Sequence, residues 1–325
     1  MHEFNLIHKY FTWDNPPADI AIAVGDDAAV LDIPADKQLV TSIDTLISGV
    51  HFPENTLPSS IAHKALAVNL SDLAAMGATP KWFTLALTLP EIDEAWLNSF
   101  SKGLKTLAHE HHCFLIGGDT TRGPLNISIQ VMGLVDTGKA LLRSGAKLGD
   151  KIYVTGTLGD GAAGLKNLNG ELEGEFKLSK TDAKYCQQRL DNPTPRIIES
   201  RLIKSFATSC IDVSDGLLQD LSHILEASQV GATLNLSHLP FSSALRNLDN
   251  NLATNLALKG GDDYELLFTI PAIKETQFLS QLSNTMNGKV DNKVTCIGEI
   301  TKEDTGIRDN AGNRLISSGY NHFHV

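Results

Sequence analysis

Six short acidic motifs in this 325-residue chain are of a type and spacing that could do chemistry. They are Gly25-Asp26-Asp27, Ser42-Ile43-Asp44, Ser71-Asp72, Gly117-Gly118-Asp119-Thr120-Thr121, Asp212-Val213-Ser214-Asp215-Gly216 and Gly260-Gly261-Asp262-Asp263-Tyr264-Glu265. Glycine lets the backbone turn tightly and approach a ligand. Aspartate supplies hard oxygen for Mg²⁺, which binds through a few carboxylates and substrate phosphates. A single aspartate beside glycine commonly bonds its own turn. Six such motifs at the ends of apolar runs point instead to metal ions holding a polyphosphate.

Position strengthens that reading. Asp44, Asp119, Asp212 and Asp215 stand at or just past apolar extended runs, where open sheets place ligand-binding loops. Asp72 falls in an apolar helical stretch, 65–76, where an uncompensated carboxylate is costly to bury. Arg143 and Lys147 lie in a small-residue stretch, either balancing phosphate charge or belonging to a solvated linker.

The elements that must position these residues follow from periodicity. Helices are expected over 4–11, 58–77 and 91–111, and strands over 28–33, 38–43, 82–89, 113–116 and 126–135. Gly77 is a suitable helix terminator. Near 138–149 the periodicity lapses, which divides the chain into domains 1–140 and 141–325. The second half restarts with strands over 151–155, 207–213, 232–236 and 265–270 and a helix over 216–228. The order is α+β, not a strict βαβ alternation.

Composition narrows the function. A net charge of −11 disfavours nucleic acid and anionic membranes but not a metal-bound nucleotide. No apolar run reaches the ~18 residues of a membrane span, and the first residues carry no secretory signal pattern. Cys113, Cys186, Cys210 and Cys296 are scattered, as in a reduced, cytoplasmic protein. Two nucleotide signatures are incomplete. Gly133 to Ala140 lacks the final Ser or Thr of a phosphate loop, and Gly159 to Gly164 lacks the strand that should follow a dinucleotide fingerprint. His109-Glu110-His111-His112 lacks zinc-site spacing and reads as the exposed end of a helix.

The six motifs, with His51-Phe52, the stretch from Lys64 to Ala78 and Arg143-Ser144-Gly145-Ala146, resemble the thiamine-monophosphate kinase family in order along the chain. That family belongs with aminoimidazole ribonucleotide synthetase, selenophosphate synthetase and a hydrogenase-maturation dehydratase. Selenophosphate synthetase carries a reactive cysteine near its start and the dehydratase ends in one; neither is found here. The resemblance implies an α+β, two-domain aminoimidazole ribonucleotide synthetase-like fold, with an N-terminal mixed sheet with helices and a C-terminal α+β domain, dimerising through N-terminal sheets. It implies transfer of the ATP γ-phosphoryl group to thiamine monophosphate with Mg²⁺. By motif position, Asp27, Ser42, Ile43 (through its carbonyl), Asp44, Asp72, Asp119, Asp212 and Asp215 would hold Mg²⁺. Gly118, Asp119, Arg143 and Ser214 would contact ATP. His51, Asp262 or Asp263, and Tyr320 and Phe323 would contact the thiamine substrate. Two other classes stay open on the residues alone: a non-catalytic metal-binding module and a dinucleotide-dependent oxidoreductase using Gly159 to Gly164.

Overall fold

The computed structural model describes residues 3–172, 177–286, 294–302 and 306–316, and the elements below lie among them. Tyr320 and Phe323 fall outside the described residues. The chain forms two compact units. The first comprises Met1–Leu73 and Ala78–Ala140, the second Ala74–Gly77 and Leu141–Val325.

The first unit begins with helix α1 (Glu3–Tyr10) and the short hairpin strands β1 (Ile20–Ile22) and β2 (Val30–Leu31). It continues through β3 (Lys37–Ile47), α2 (Pro58–Ala75), β4 (Thr79–Leu89), α3 (Glu94–Glu110), β5 (Phe114–Arg122) and β6 (Asn126–Asp136). The sheet order is β3-β6-β4-β5, antiparallel except for the parallel β4–β5 pair. Pro58 opens α2, where a missing N–H costs nothing. Asp93 caps α3, accepting from the N–H groups of Ala95 and Trp96 at 2.8 and 3.1 Å. Leu97, Phe100, Leu104 and Leu107, spaced three and four apart, then bury one face of α3.

Two expectations need correction. Asp44 and Asp119 are not at strand ends. Asp44 sits within the eleven-residue β3, and Asp119 within β5, which runs on through Gly117 and Gly118 to Arg122. Backbone pairing with β6 and β4 extends both strands beyond the apolar residues that mark them in sequence.

In the second unit, β7 (Lys151–Thr155) and β8 (Ser209–Val213) flank β10 (Glu265–Ile270), and β9 (Val230–Leu234), β11 (Val294–Lys302) and β12 (Ile307–Asp309) complete the order β12-β9-β11-β7-β10-β8. Helices α4 (Asp160–Leu168), α5 (Lys180–Asp191), α6 (Ile197–Ile203), α7 (Leu217–Ser228), α8 (Ser243–Arg246), α9 (Asn250–Lys259) and α10 (Glu275–Met286) surround it. Strand alternation feeds two cores. Ile152, Val154, Ile211 and Val213 meet Leu217, Leu221 and Ala257 on one side, while Tyr153, Cys210 and Phe268 meet Phe206 and Phe278 on the other. With both faces covered, every residue of β10 is buried.

Candidate active site

Three oxygen-bearing side chains converge where β3 passes α2. Ser42 Oγ donates to Asp72 Oδ2 at 2.5 Å, and Asp44 lies close enough to Asp72 for the two charges to repel. Burial first, and the Asp72 charge second, push the Asp44 carboxyl up to about 6. Asn69 fixes the strand here: its Oδ1 accepts from the Asp44 N–H at 3.0 Å, while its Nδ2 donates to the Ala65 carbonyl at 2.9 Å. At the next turn, His51 Nδ1 accepts from the Ile47 N–H at 3.1 Å. The buried Lys64 donates to the His51 carbonyl at 3.0 Å. Asn69 and Lys64 went unassigned in sequence. Their signal is that Lys64 and Asn69, like Asp72, interrupt the apolar stretch of one helix. Ile43, between Ser42 and Asp44, is 61% exposed.

A second subsite is a cavity of about 800 Å³ at the β5 edge. Asp26 and Asp27 line it together with Gly117, Gly118 and Asp119, against apolar walls from α1, β4 and β5. The structure thus brings Asp27 together with Asp119, and the nearby Gly118 allows the strands their close approach. A Cβ at Gly118 would stand 1.9 Å from the Leu85 carbonyl oxygen, so no other residue fits without moving the strand.

The second unit holds a further set of candidates on two adjoining loops. Asp212 is the next-to-last residue of the buried β8, where it pairs with Leu266, and Ser214 and Asp215 follow the strand, both half-buried. Gln219 donates to Asp215 Oδ2 at 3.1 Å. The neighbouring loop locks onto this one. Asp262 N–H donates to the Ser214 carbonyl at 2.9 Å, and Tyr264 N–H to the Val213 carbonyl at 2.8 Å. Asp262 and Tyr264 both adopt left-handed backbone, φ +66° and +51°, a conformation that costs side-chain-bearing residues and that clusters at functional sites.

Asp262 and Asp263, equivalent in sequence, have different surroundings. Asp262 is half-buried and accepts from the Tyr264 hydroxyl at 3.2 Å. Asp263 is 2% exposed and accepts from the Gly159 and Gly161 N–H groups at the start of α4, at 2.7 and 3.4 Å. Burial, opposed by those bonds, raises its carboxyl well above the usual range. The same contact disposes of the dinucleotide fingerprint, because a carboxylate of the chain itself occupies the helix N-terminus that a pyrophosphate would need. Glu265 closes the motif beneath the surface. Arg196 grips it from Nε at 2.6 Å and Nη2 at 2.5 Å, Arg189 at 2.8 Å and Thr155 at 2.6 Å. Burial alone would raise Glu265; the two arginines outweigh it and hold the carboxyl below its ordinary value.

Asp220, unassigned in sequence, accepts at one oxygen from the N–H groups of Ser214, Asp215 and Gly216, each at 3.1 Å. Burial, and then the Asp215 charge, lift it to about 7 against the effect of those bonds. Arg143 is exposed, on a segment whose Gly145 and Ala146 N–H groups donate to Ser228 Oγ at 3.1 and 3.2 Å. Gly133 to Asp136 form part of β6, so no phosphate loop exists there. His109 lies in the last turn of α3 with its ring 5.9 Å from that of Trp13. Among the described residues, no three His, Cys, Asp or Glu side chains gather closely enough to enclose a metal ion by themselves.

Comparison with known proteins covers nearly the whole chain. Residues 25–135 match the AIR synthase related protein, N-terminal domain, and residues 147–309 the AIR synthase related protein, C-terminal domain. The thiamine-monophosphate kinase of Escherichia coli is 48% identical over 326 residues, covering 99% of this chain and 98% of that protein. The crystal structure of thiamine-monophosphate kinase from Stenotrophomonas maltophilia superposes with a TM-score of 0.83 at 44% identity, covering 94% of this chain and 95% of that one. AaThiL complexed with AMPPCP and TMP gives a TM-score of 0.77 at 31% identity, covering 98% and 96%.

Proposed function

The chain belongs to the thiamine-monophosphate kinase family, and we propose from that premise how its residues carry the reaction. It is an ATP-dependent kinase that phosphorylates thiamine monophosphate to thiamine diphosphate. The relative holding AMPPCP and TMP supports this pair of substrates.

The acceptor is a phosphate monoester, already ionised near neutral pH, so the site needs no strong general base. Alignment and charge neutralisation carry the transfer instead. The residue assignment rests above all on the convergence of Asp44, Asp72 and the Ser42 hydroxyl where β3 passes α2, with Asp44 partly buried against the Asp72 charge. Two crowded carboxylates and a hydroxyl are hard oxygen donors that a divalent cation would relieve, so this group fits Mg²⁺. Asp27 and Asp119 fit it equally by donor type, at the cavity that Gly118 borders. Bound Mg²⁺ supplies charge neutralisation and a template for the phosphate oxygens. Asp212 and Asp215 remain metal candidates through the family pattern, as does the Ile43 carbonyl.

The 800 Å³ cavity is of ligand size, with an apolar wall and an acidic rim, which supports a nucleotide contact at Gly118 and Asp119. Arg143 and Ser214 would meet phosphate oxygens by the family pattern, a reading supported by the exposure of the first and the partial exposure of the second. Of the two aspartates, Asp262 is the better substrate contact, because Asp263 already caps α4. His51, Tyr320 and Phe323 remain substrate contacts by resemblance. Transfer is direct and in line, with no phosphoenzyme.

A homodimer through the first unit's sheet is supported by Leu39, Ile43 and Ile47, an exposed apolar row on β3. A cytoplasmic location is supported by four free cysteines; among the described residues, no helix is long and apolar enough to cross a membrane. Assay of the purified chain with ATP, thiamine monophosphate and Mg²⁺ tests the function. Absence of thiamine diphosphate would refute it.

A further inference from the structure

We propose that Asp220 is a positioning residue for phosphoryl transfer, acting through the Ser214–Gly216 strip that it clamps. Three consecutive backbone N–H groups converging on one point form an anion-binding nest. Here the nest is filled from within: Asp220 Oδ2 accepts from Ser214, Asp215 and Gly216, each at 3.1 Å.

The strip is held from its other side as well. The Ser214 carbonyl accepts from the Asp262 N–H at 2.9 Å, and a Cβ on Gly261 would stand only 2.4 Å from that carbonyl oxygen. With its amide and its carbonyl both engaged, Ser214 cannot rotate its peptide planes without breaking a bond. The Ser214 and Asp215 side chains, both half-buried, therefore leave a backbone of fixed orientation. Asp220 itself is 2% exposed, in the first turn of α7. It is too enclosed to meet a ligand directly, so its effect passes through the strip.

The inference rests on the reading of Ser214 as an ATP contact and Asp215 as a metal ligand. Asp220→Asn keeps a carbonyl acceptor and the side-chain shape but replaces the second carboxyl oxygen with an NH₂ donor and cannot take the ionised form, whose bonds to N–H groups are the stronger ones. The test compares Asp220→Asn and Asp220→Ala, alone and in an Asp215→Asn background. It uses steady-state kinetics for each substrate and amide hydrogen exchange over 214–216.

In Asp220→Asn, exchange at those amides accelerates and kcat/KM for ATP falls on the order of tenfold, as for a group that orients a metal ligand. KM for thiamine monophosphate changes less than kcat/KM for ATP, since that substrate's contact, Asp262, reaches the strip only through its N–H bond to the Ser214 carbonyl. In the Asp215→Asn background the same substitution costs less than about twofold, because the residue it acts through is already disabled. Equal losses in both backgrounds, or unchanged exchange at 214–216, would overturn the proposal. Should Asp220→Ala not fold, Asp220→Asn decides alone. A wild-type chain without turnover would overturn the kinase reading instead, and the exchange data would still decide whether Asp220 clamps the strip.

Discussion

Asp44 and Asp119 lie three strands apart in one sheet and in different cross-strand rows. Asp44 stands level with Ile129, Leu85 and Gly118; Asp119 stands level with Ala86, Ser128 and Thr45. At ~4.8 Å per strand the separation is about 14 Å, and neighbouring rows point to opposite faces. Mg²⁺ holds its oxygens at ~2.1 Å. Carboxylates so placed within one unit would have to hold separate ions rather than share one.

That separation makes a prediction. Asp44→Asn and Asp119→Asn each lower turnover by at least about tenfold. In the double variant the two losses multiply, with a coupling below about 0.5 kcal/mol, as for distant sites. Kinetics on the three variants decide it. A double variant no worse than either single one would place both carboxylates on one ion.

Asp44→Asn should also stabilise the metal-free protein while it damages activity. A carboxyl raised to about 6 takes up its proton in the folded state before the unfolded one, so stability falls as pH rises from ~4 to 6. Above pH 6 the full cost is present. The gain from Asn is on the order of 3 kcal/mol at pH 8 and shrinks to nothing below about pH 4. Thermal melts with a chelator at pH 8 and pH 4 measure it. Equal shifts at both pH values would exclude the titration as the cause.

The buried Arg196–Glu265 pair behaves oppositely. Glu265, held below its ordinary pKa, contributes stability above the unfolded value of ~4.3 and loses it as pH falls through the folded value. Arg196→Met leaves Glu265 with Arg189 and Thr155, and should cost about 3 kcal/mol in urea denaturation at pH 7. A cost below about 1 kcal/mol would show that Arg189 suffices.

Direct transfer predicts that ATP carrying a radiolabelled γ-phosphoryl group leaves no label on the protein when the acceptor is omitted. His51, with Nδ1 already accepting from the Ile47 N–H, is the residue to inspect first. Stoichiometric label there, passed on to thiamine monophosphate, would establish a phosphoenzyme.

Much of the fold was legible where apolar periodicity is strong, as in α2, α3, β6 and β10. Strands β3 and β5 were read too short because Thr45, Gly117 and Thr120 interrupt the apolar run, and their pairing is supplied by backbone partners far along the chain. The acidic motifs stand out in the sequence as a set, but the surroundings of each aspartate do not. Asp262 and Asp263 are neighbours of one type; only the N-terminus of α4, a hundred residues earlier, draws Asp263 inward. Asp220 was invisible for a similar reason, since its partners are backbone amides that no side-chain pattern announces.

The most direct test is thiamine diphosphate formation by the purified chain, followed with ATP and thiamine monophosphate while Mg²⁺ is added and then chelated. Product that appears with Mg²⁺, stops with chelator and returns on re-addition is the expected result. ATP and metal binding with no thiamine diphosphate formed, under conditions where the Escherichia coli relative turns over, would contradict the assignment.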